Sequence, residues 1–313
     1  MSVRGSDPDR LLRWYPPAWR ARYGDEMGAL MADDLAGRPP TPRFRFSIAA
    51  AGLRERGHAA GLLGDRTPPA ERVRAGALLV LGAWAAFVVA GASFAKLSEH
   101  FDAAVPAASR DLPWAVFRAI ETLAVVGSLL VAAGALAALP ALVRALRAGA
   151  WPRLRRPVLG AGAASVLVAA GTVGLVAWAN RLSVAQRNGA DGYYVVAFVV
   201  WGLAGAATLA LWTWAAIAAG RRLTLTRRVL VLEAALAGGL ALCMAAMTAA
   251  TALWWAVVAV DAPWFLGGTA AGSHPSVFEP RLAATMALML AAVAAAGYGV
   301  VRIGRAWGGL RAS

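Results

Sequence analysis

The stretch Arg144–Arg156 reads RALRAGAWPRLRR, five arginines and no acid set between two long apolar runs. Positive charge stays on the cytoplasmic side when apolar segments enter a bilayer. The stretch therefore reads as an inner loop, and alternation along the chain orients every other segment. The architecture that follows is an all-α integral membrane six-helix bundle with a small N-terminal cytoplasmic helical domain. Both termini fall on the cytoplasmic side of the cell membrane.

The spans extend outward from that loop over residues 120–143 and 157–179 on its two flanks. The others cover about 75–95, 195–219, 229–260 and 282–301. Each is near or above the ~20 residues that cross a 30 Å hydrocarbon core. The fifth is long enough to tilt or to project from the membrane. Pro140 lies near the inner end of the second, where a kink is tolerated.

Composition agrees: 59% of the chain is hydrophobic and only 15% charged, against about 25% charged in ordinary globular domains. The net charge of +14 is unevenly placed. Two inner loops and the C-terminal segment hold twelve arginines and no acid, whereas the outward segments are nearly neutral. Arginines that flank apolar spans match anionic lipid headgroups rather than bases, so direct nucleic-acid binding is not expected. Trp114, Trp178, Trp254 and Trp255 fall near outer ends, and Trp151, Trp212, Trp214 and Trp307 near inner ones. Those are the depths that amphipathic rings favour. Pairs of small residues four apart, Ala170/Gly174, Gly202/Ala206, Ala234/Gly238 and Ala235/Gly239, are read as places where helix backbones approach closely.

Residues 1–70 read as a water-facing prefix, followed by the membrane region 71–313. Ser6 and Asp9 have capping-box spacing ahead of a short helix through Arg10–Tyr15. Pro16 and Pro17 break it, and Trp19, Tyr23, Met27, Leu30, Met31 and Leu35 then recur at helical spacing. Gly28 interrupts that pattern. A third helix over about 43–63 carries Phe44, Ile48, Ala51 and Gly52 on one side, which suits packing on the second helix or lying in the lipid interface. No apolar core of a cleavable signal peptide is visible in the first 70 residues.

Few residues could carry chemistry. Cys243 is the only cysteine, and His58, His100 and His274 lie in separate segments, so no metal-ligand spacing occurs. No motif for a cofactor, a nucleotide or a hydrolytic nucleophile is present, and neither a cofactor nor enzyme activity is expected. Glu121 and Glu233 are the only ionisable residues within the spans, the default functional suspects in lipid. Glu121 follows Arg118 by three residues and Glu233 follows Arg228 by five, so both read as structural, interfacial ion pairs near the membrane surfaces.

The run Tyr15-Pro16, Trp19-Arg20, Arg22-Tyr23-Gly24 and Glu26 resembles the YPxxWRxRYGxE signature of permease-prefix domains of high-GC bacteria. These are related to the HAAS (ABC-associated signalling) modules. The resemblance is strong over about 25 residues and does not extend to the spans. It implies a module that precedes a multi-span region and is linked with transcription regulators or ABC systems. Trp14, Tyr15, Trp19, Arg20, Arg22 and Tyr23 are then candidates for docking a cytoplasmic regulator or a transport-complex subunit. The plainer reading is that the rings form the small core of the prefix. The expected role is a regulatory or accessory membrane subunit, with a transporter or permease subunit for a small or apolar substrate as the alternative.

Reporter fusions after Ala150 and after Arg311 should both behave as cytoplasmic. A fusion that places Ala150 outside would overturn the topology.

Overall fold

The computed structural model describes residues 8–35, 38–59, 67–98, 101–183, 186, 191–221, 223, 225–266 and 280–312. The elements are α1 (Pro8–Leu12), α2 (Pro17–Leu35), α3 (Pro42–Ala59), α4 (Pro69–Leu97), α5 (Phe101–Ala104) and α6 (Asp111–Ala145). They continue with α7 (Trp151–Ala179), α8 (Gly192–Gly220), α9 (Arg227–Asp261), α10 (Pro263–Leu266) and α11 (Pro280–Ala312). Among the described residues there is no strand. Ser6, Glu99, His100 and His274, and the end of the expected third helix, lie outside the described residues.

Six helices, α4, α6, α7, α8, α9 and α11, are long and apolar enough to cross a bilayer. The protein is a multi-pass membrane protein. Its helices carry many large apolar side chains in the open, Leu136, Val166, Leu167, Val173, Leu242 and Val260 among them, an exposure that water would not tolerate. The helices overrun the spans read from hydropathy because polar flanking turns also wind up. The 35 residues of α9 extend about 52 Å at 1.5 Å per residue. Two short helices, α5 and α10, and a 3-10 turn at Ala107–Ser109 add structure between spans that periodicity does not reveal.

The two most extensive helix pairings are α6 with α9 and α7 with α8. The turn between α6 and α7 falls inside RALRAGAWPRLRR. Gly149 takes φ 83° and ψ 22°, a left-handed conformation that costs glycine nothing. Trp151 and Pro152 then open α7, where a proline in the first turn sacrifices no helical bond. Asp191 starts α8 by accepting from the backbone N–H groups of Tyr193 (3.0 Å) and Tyr194 (3.1 Å).

The chain divides into two compact units, Met1–Ala75 with Ala306–Ser313, and Gly76–Arg305. In the second unit α4 is the most enclosed span. Its apolar stretch is buried along much of its length, whereas those of α6, α7 and α8 are almost entirely exposed. Phe87, Phe94, Met244, Met289, Trp254 and Val258 are sequestered in this unit. Trp254 meets Phe94 and Phe101 edge-on, with ring centroids 5.0 and 5.4 Å apart. Trp254 is thus a core ring and not the interfacial one its position near a span end predicts, because two aromatic neighbours outcompete the headgroup region. Trp212 donates to Ser165 Oγ at 2.9 Å, and Trp201 donates to Thr172 Oγ1 at 3.0 Å. Both bonds join α8 to α7, where no water competes for the indole N–H.

The close approaches between helices fall elsewhere than the small-residue pairs suggested. Nothing lies within 4 Å of a side chain placed at Gly174, Gly202 or Gly238, and only Gly239 meets another helix, at Leu130 of α6. The tight contacts include Gly76 with Gly299, Gly127 under the ring of Trp84, and Gly220 against Leu78. A methyl group at Gly76 would stand 2.7 Å from the Gly299 carbonyl oxygen. In an alanine-rich sequence the four-residue pattern recurs on lipid-facing sides too, so spacing alone does not select the packed one.

Gly299→Leu should loosen the α4–α11 contact by about 1–3 kcal/mol, the ordinary cost of overpacking. The neighbouring Gly297→Ala, which meets nothing within 4 Å, should be neutral or slightly stabilising. Resistance to unfolding in mixed detergent micelles would separate the two, and equal effects would contradict the packing.

Candidate functional site

The N-terminal unit is built around Leu11, Leu12, Tyr15 and Met31, with Trp19, Met27, Phe44 and Ile48 packed against them. The third helix of the prefix therefore packs against this cluster, chiefly on α1 rather than on the second helix as expected. Gly52 of α3 makes this possible: a methyl group there would stand 2.7 Å from Trp14 Cβ. The helix α2 runs unbroken through Gly28.

Two carbonyls of the turn after α1 are satisfied from far along the chain. Arg56 donates through Nε to the Trp14 carbonyl at 2.5 Å and through Nη2 to the Arg13 carbonyl at 2.6 Å. A helix that stops ahead of Pro16 leaves carbonyls without intrahelical partners, and the fork of a guanidinium can take two at once. Sequence reading misses Arg56, since it is one of four arginines around α3. The unmet carbonyls before the Pro16-Pro17 break were the available signal.

The six candidate docking residues separate by burial. Tyr15 is buried, and Trp19 stacks on it with centroids 4.1 Å apart and planes at 28°. Trp14, Arg20, Arg22 and Tyr23 are exposed. Arg22 lies over the Tyr23 ring at 5.2 Å and Arg13 over the Trp14 ring at 5.7 Å. Cation and ring hold each other in place there at small cost in side-chain freedom. The structure thus brings Tyr15 and Trp19 together as core and leaves the others as a surface of arginine and aromatic faces. Burial pushes the Tyr15 phenol above its ordinary value, and the Glu55 carboxylate adds to the shift.

The two intramembrane acids also separate. Arg118 Nη1 stands 3.0 Å from Glu121 Oε2, and both side chains are exposed, so the pair contributes little beyond orientation. Arg118 also lies over the Trp114 ring at 5.3 Å. Glu233 makes no ion pair or hydrogen bond among the described residues. Its carboxylate turns toward α6, where a methyl group at Gly134 would stand 3.2 Å from Oε2 and 3.7 Å from Oε1. The expected partners fail on geometry. At 100° per residue, Arg228 and Arg227 lie about 140° and 120° around the helix from Glu233, off its face.

Among the described residues no group of three or more His, Cys, Asp or Glu side chains comes together. Cys243 is buried in the second unit as a free thiol. No family model, curated protein or solved structure matches the chain.

Because the fold holds Tyr15 as the neutral phenol, the N-terminal unit keeps its full contribution below about pH 10 and loses it as pH rises through the raised native value. The tyrosinate absorbance difference between wild type and Tyr15→Phe isolates this one ring. Its midpoint should lie above 10.0, and a midpoint at or below that value would contradict the burial.

Proposed function

We propose that the chain is a non-enzymatic regulatory or accessory subunit of the cell membrane whose N-terminal unit docks a soluble cytoplasmic partner. The observation that carries this reading is the division of one aromatic and arginine-rich segment into two jobs. Tyr15 and Trp19 hold the small core, while the side chains of Arg20, Arg22, Tyr23 and Trp14 reach the surface, Trp14 through its backbone and Tyr23 through its contact with Trp19 also serving the fold. Arginines laid over aromatic rings are the residue types that anchor interfaces. The resemblance of Tyr15–Glu26 to permease-prefix modules points the same way. In this reading the arginine-rich ends of the spans face the cytoplasm, with both termini, and sit among anionic headgroups. Glu233 favours the second reading, a transporter or permease subunit, because an unpaired carboxylate inside a span is the kind of group transport paths use.

Cross-linking of the full-length protein to its partner in membranes should fall on the order of tenfold or more in Arg20→Ala, as when an interface anchor is lost. The protease resistance of α2 should stay unchanged. Trp19→Ala should instead unfold the N-terminal unit. A chain lacking residues 1–70 that inserts normally and retains its full cellular effect would move the function into the spans.

A further inference from the structure

The α6–α9 seam contains one feature that neither packing nor docking uses. Glu233 sits on α9 two turns from Arg227, which begins the helix, a depth of about 9 Å. Both of its carboxylate oxygens lie over Gly134 of α6, beside Leu236. Farther along the same seam Leu130 covers Gly239. The half-buried acid is therefore turned toward a helix–helix contact beside aliphatic groups, with space made for it by a missing side chain.

A carboxylate in such surroundings needs a cation, a set of donors or a proton. The charged groups around it supply none of the first two. On its own helix Arg227 and Arg228 point off its face. On α6 the nearest charge toward that end is Arg144, ten residues from Gly134 and about 15 Å along the axis. Arg144 turns its Nε to the Pro140 carbonyl at 3.4 Å. The short α10, also packed on α9, has the sequence PWFL and no titratable group. The helix α4 meets α9 through Phe94 and Trp254, and its charged side chains, Glu71, Arg72, Arg74 and Lys96, are confined to its ends. A calcium or magnesium ion would want about six oxygen ligands and a zinc ion about four, and among the described residues no set of ligating side chains gathers around this carboxylate.

We propose that Glu233, seated on Gly134, is an exchangeable proton-binding site in the α6–α9 seam. The protonated acid is neutral and lets the seam stay dry. Loss of the proton leaves a charge that only water or a loosened seam can solvate, so occupancy of the site is coupled to how tightly α6 and α9 close. Two turns of helix separate it from the nearer water, which keeps the proton exchangeable. Proton binding at Glu233 does not depend on a docking role for the N-terminal unit.

Dicyclohexylcarbodiimide tests this directly, because it enters apolar regions and adds to a protonated carboxyl, which rearranges to a stable N-acylurea. Full-length protein in membrane vesicles should be modified on the peptide bearing Glu233 at pH 6. Modification should fall with rising pH, about tenfold per unit once the site empties. The exposed, arginine-paired Glu121 should remain unmodified in the same samples. Glu233→Gln should abolish the adduct, and Gly134→Leu, which fills the seat, should reduce it severalfold. The wild-type pH curve decides the question even where the Gly134 variant inserts poorly. No adduct on Glu233 at any pH, an adduct independent of pH, or equal modification of Glu121 would overturn the proposal.

Discussion

Contact between a glycine on one helix and a larger group on the next is the interaction on which the membrane unit depends. Apolar side chains gain nothing by leaving lipid for one another, so helices associate through shape and a few polar bonds. Gly76 against Gly299 brings backbone to backbone, Gly127 receives the Trp84 ring, and Gly239 receives Leu130. Where a hydroxyl is available the same job falls to a hydrogen bond, as in Trp201 with Thr172 and Trp212 with Ser165. The seat of Glu233 on Gly134 belongs to the same series, with a polar group in place of an aliphatic one. Packing and the one unusual side chain in the bundle thus share a single device.

The N-terminal unit solves a different problem. Three short helices bury too little surface for an ample margin of stability, so individual polar links count. Arg56 ties α3 to the turn after α1, and Gly52 lets the two approach. With those in place Leu11, Leu12, Tyr15 and Met31, backed by Trp19, form the core, and the side chains of Arg20 and Arg22 in the same segment stay exposed. That economy is what leaves a surface available for another molecule.

The six spans and the turn between α6 and α7 were legible because long apolar runs and an arginine-rich break follow from the bilayer alone. The Arg118–Glu121 pair was legible as well, since three residues along a helix is a local relation. What was not legible is non-local. Arg56 reaches back more than forty residues, and nothing in the spacing around α3 marks it among its neighbours. Gly134 looks like every other small residue of α6 until α9 lies across it. Trp254 reads as an interfacial ring until Phe94 and Phe101 close around it. Small-residue spacing picked Gly239 correctly and Gly174, Gly202 and Gly238 incorrectly, because alanine and glycine are too frequent here for spacing to carry information.

The central claim is the alignment of α6 and α9 that lays Gly134 against Glu233 and Leu130 against Gly239. Paired cysteines test it without disturbing the acid: Leu130→Cys with Gly239→Cys, with Cys243 replaced by serine, treated in native membranes with a short bifunctional thiol reagent. The alignment predicts rapid cross-linking within one chain, independent of protein concentration. Cross-linking no faster than between two chains that each carry one of the cysteines would contradict it.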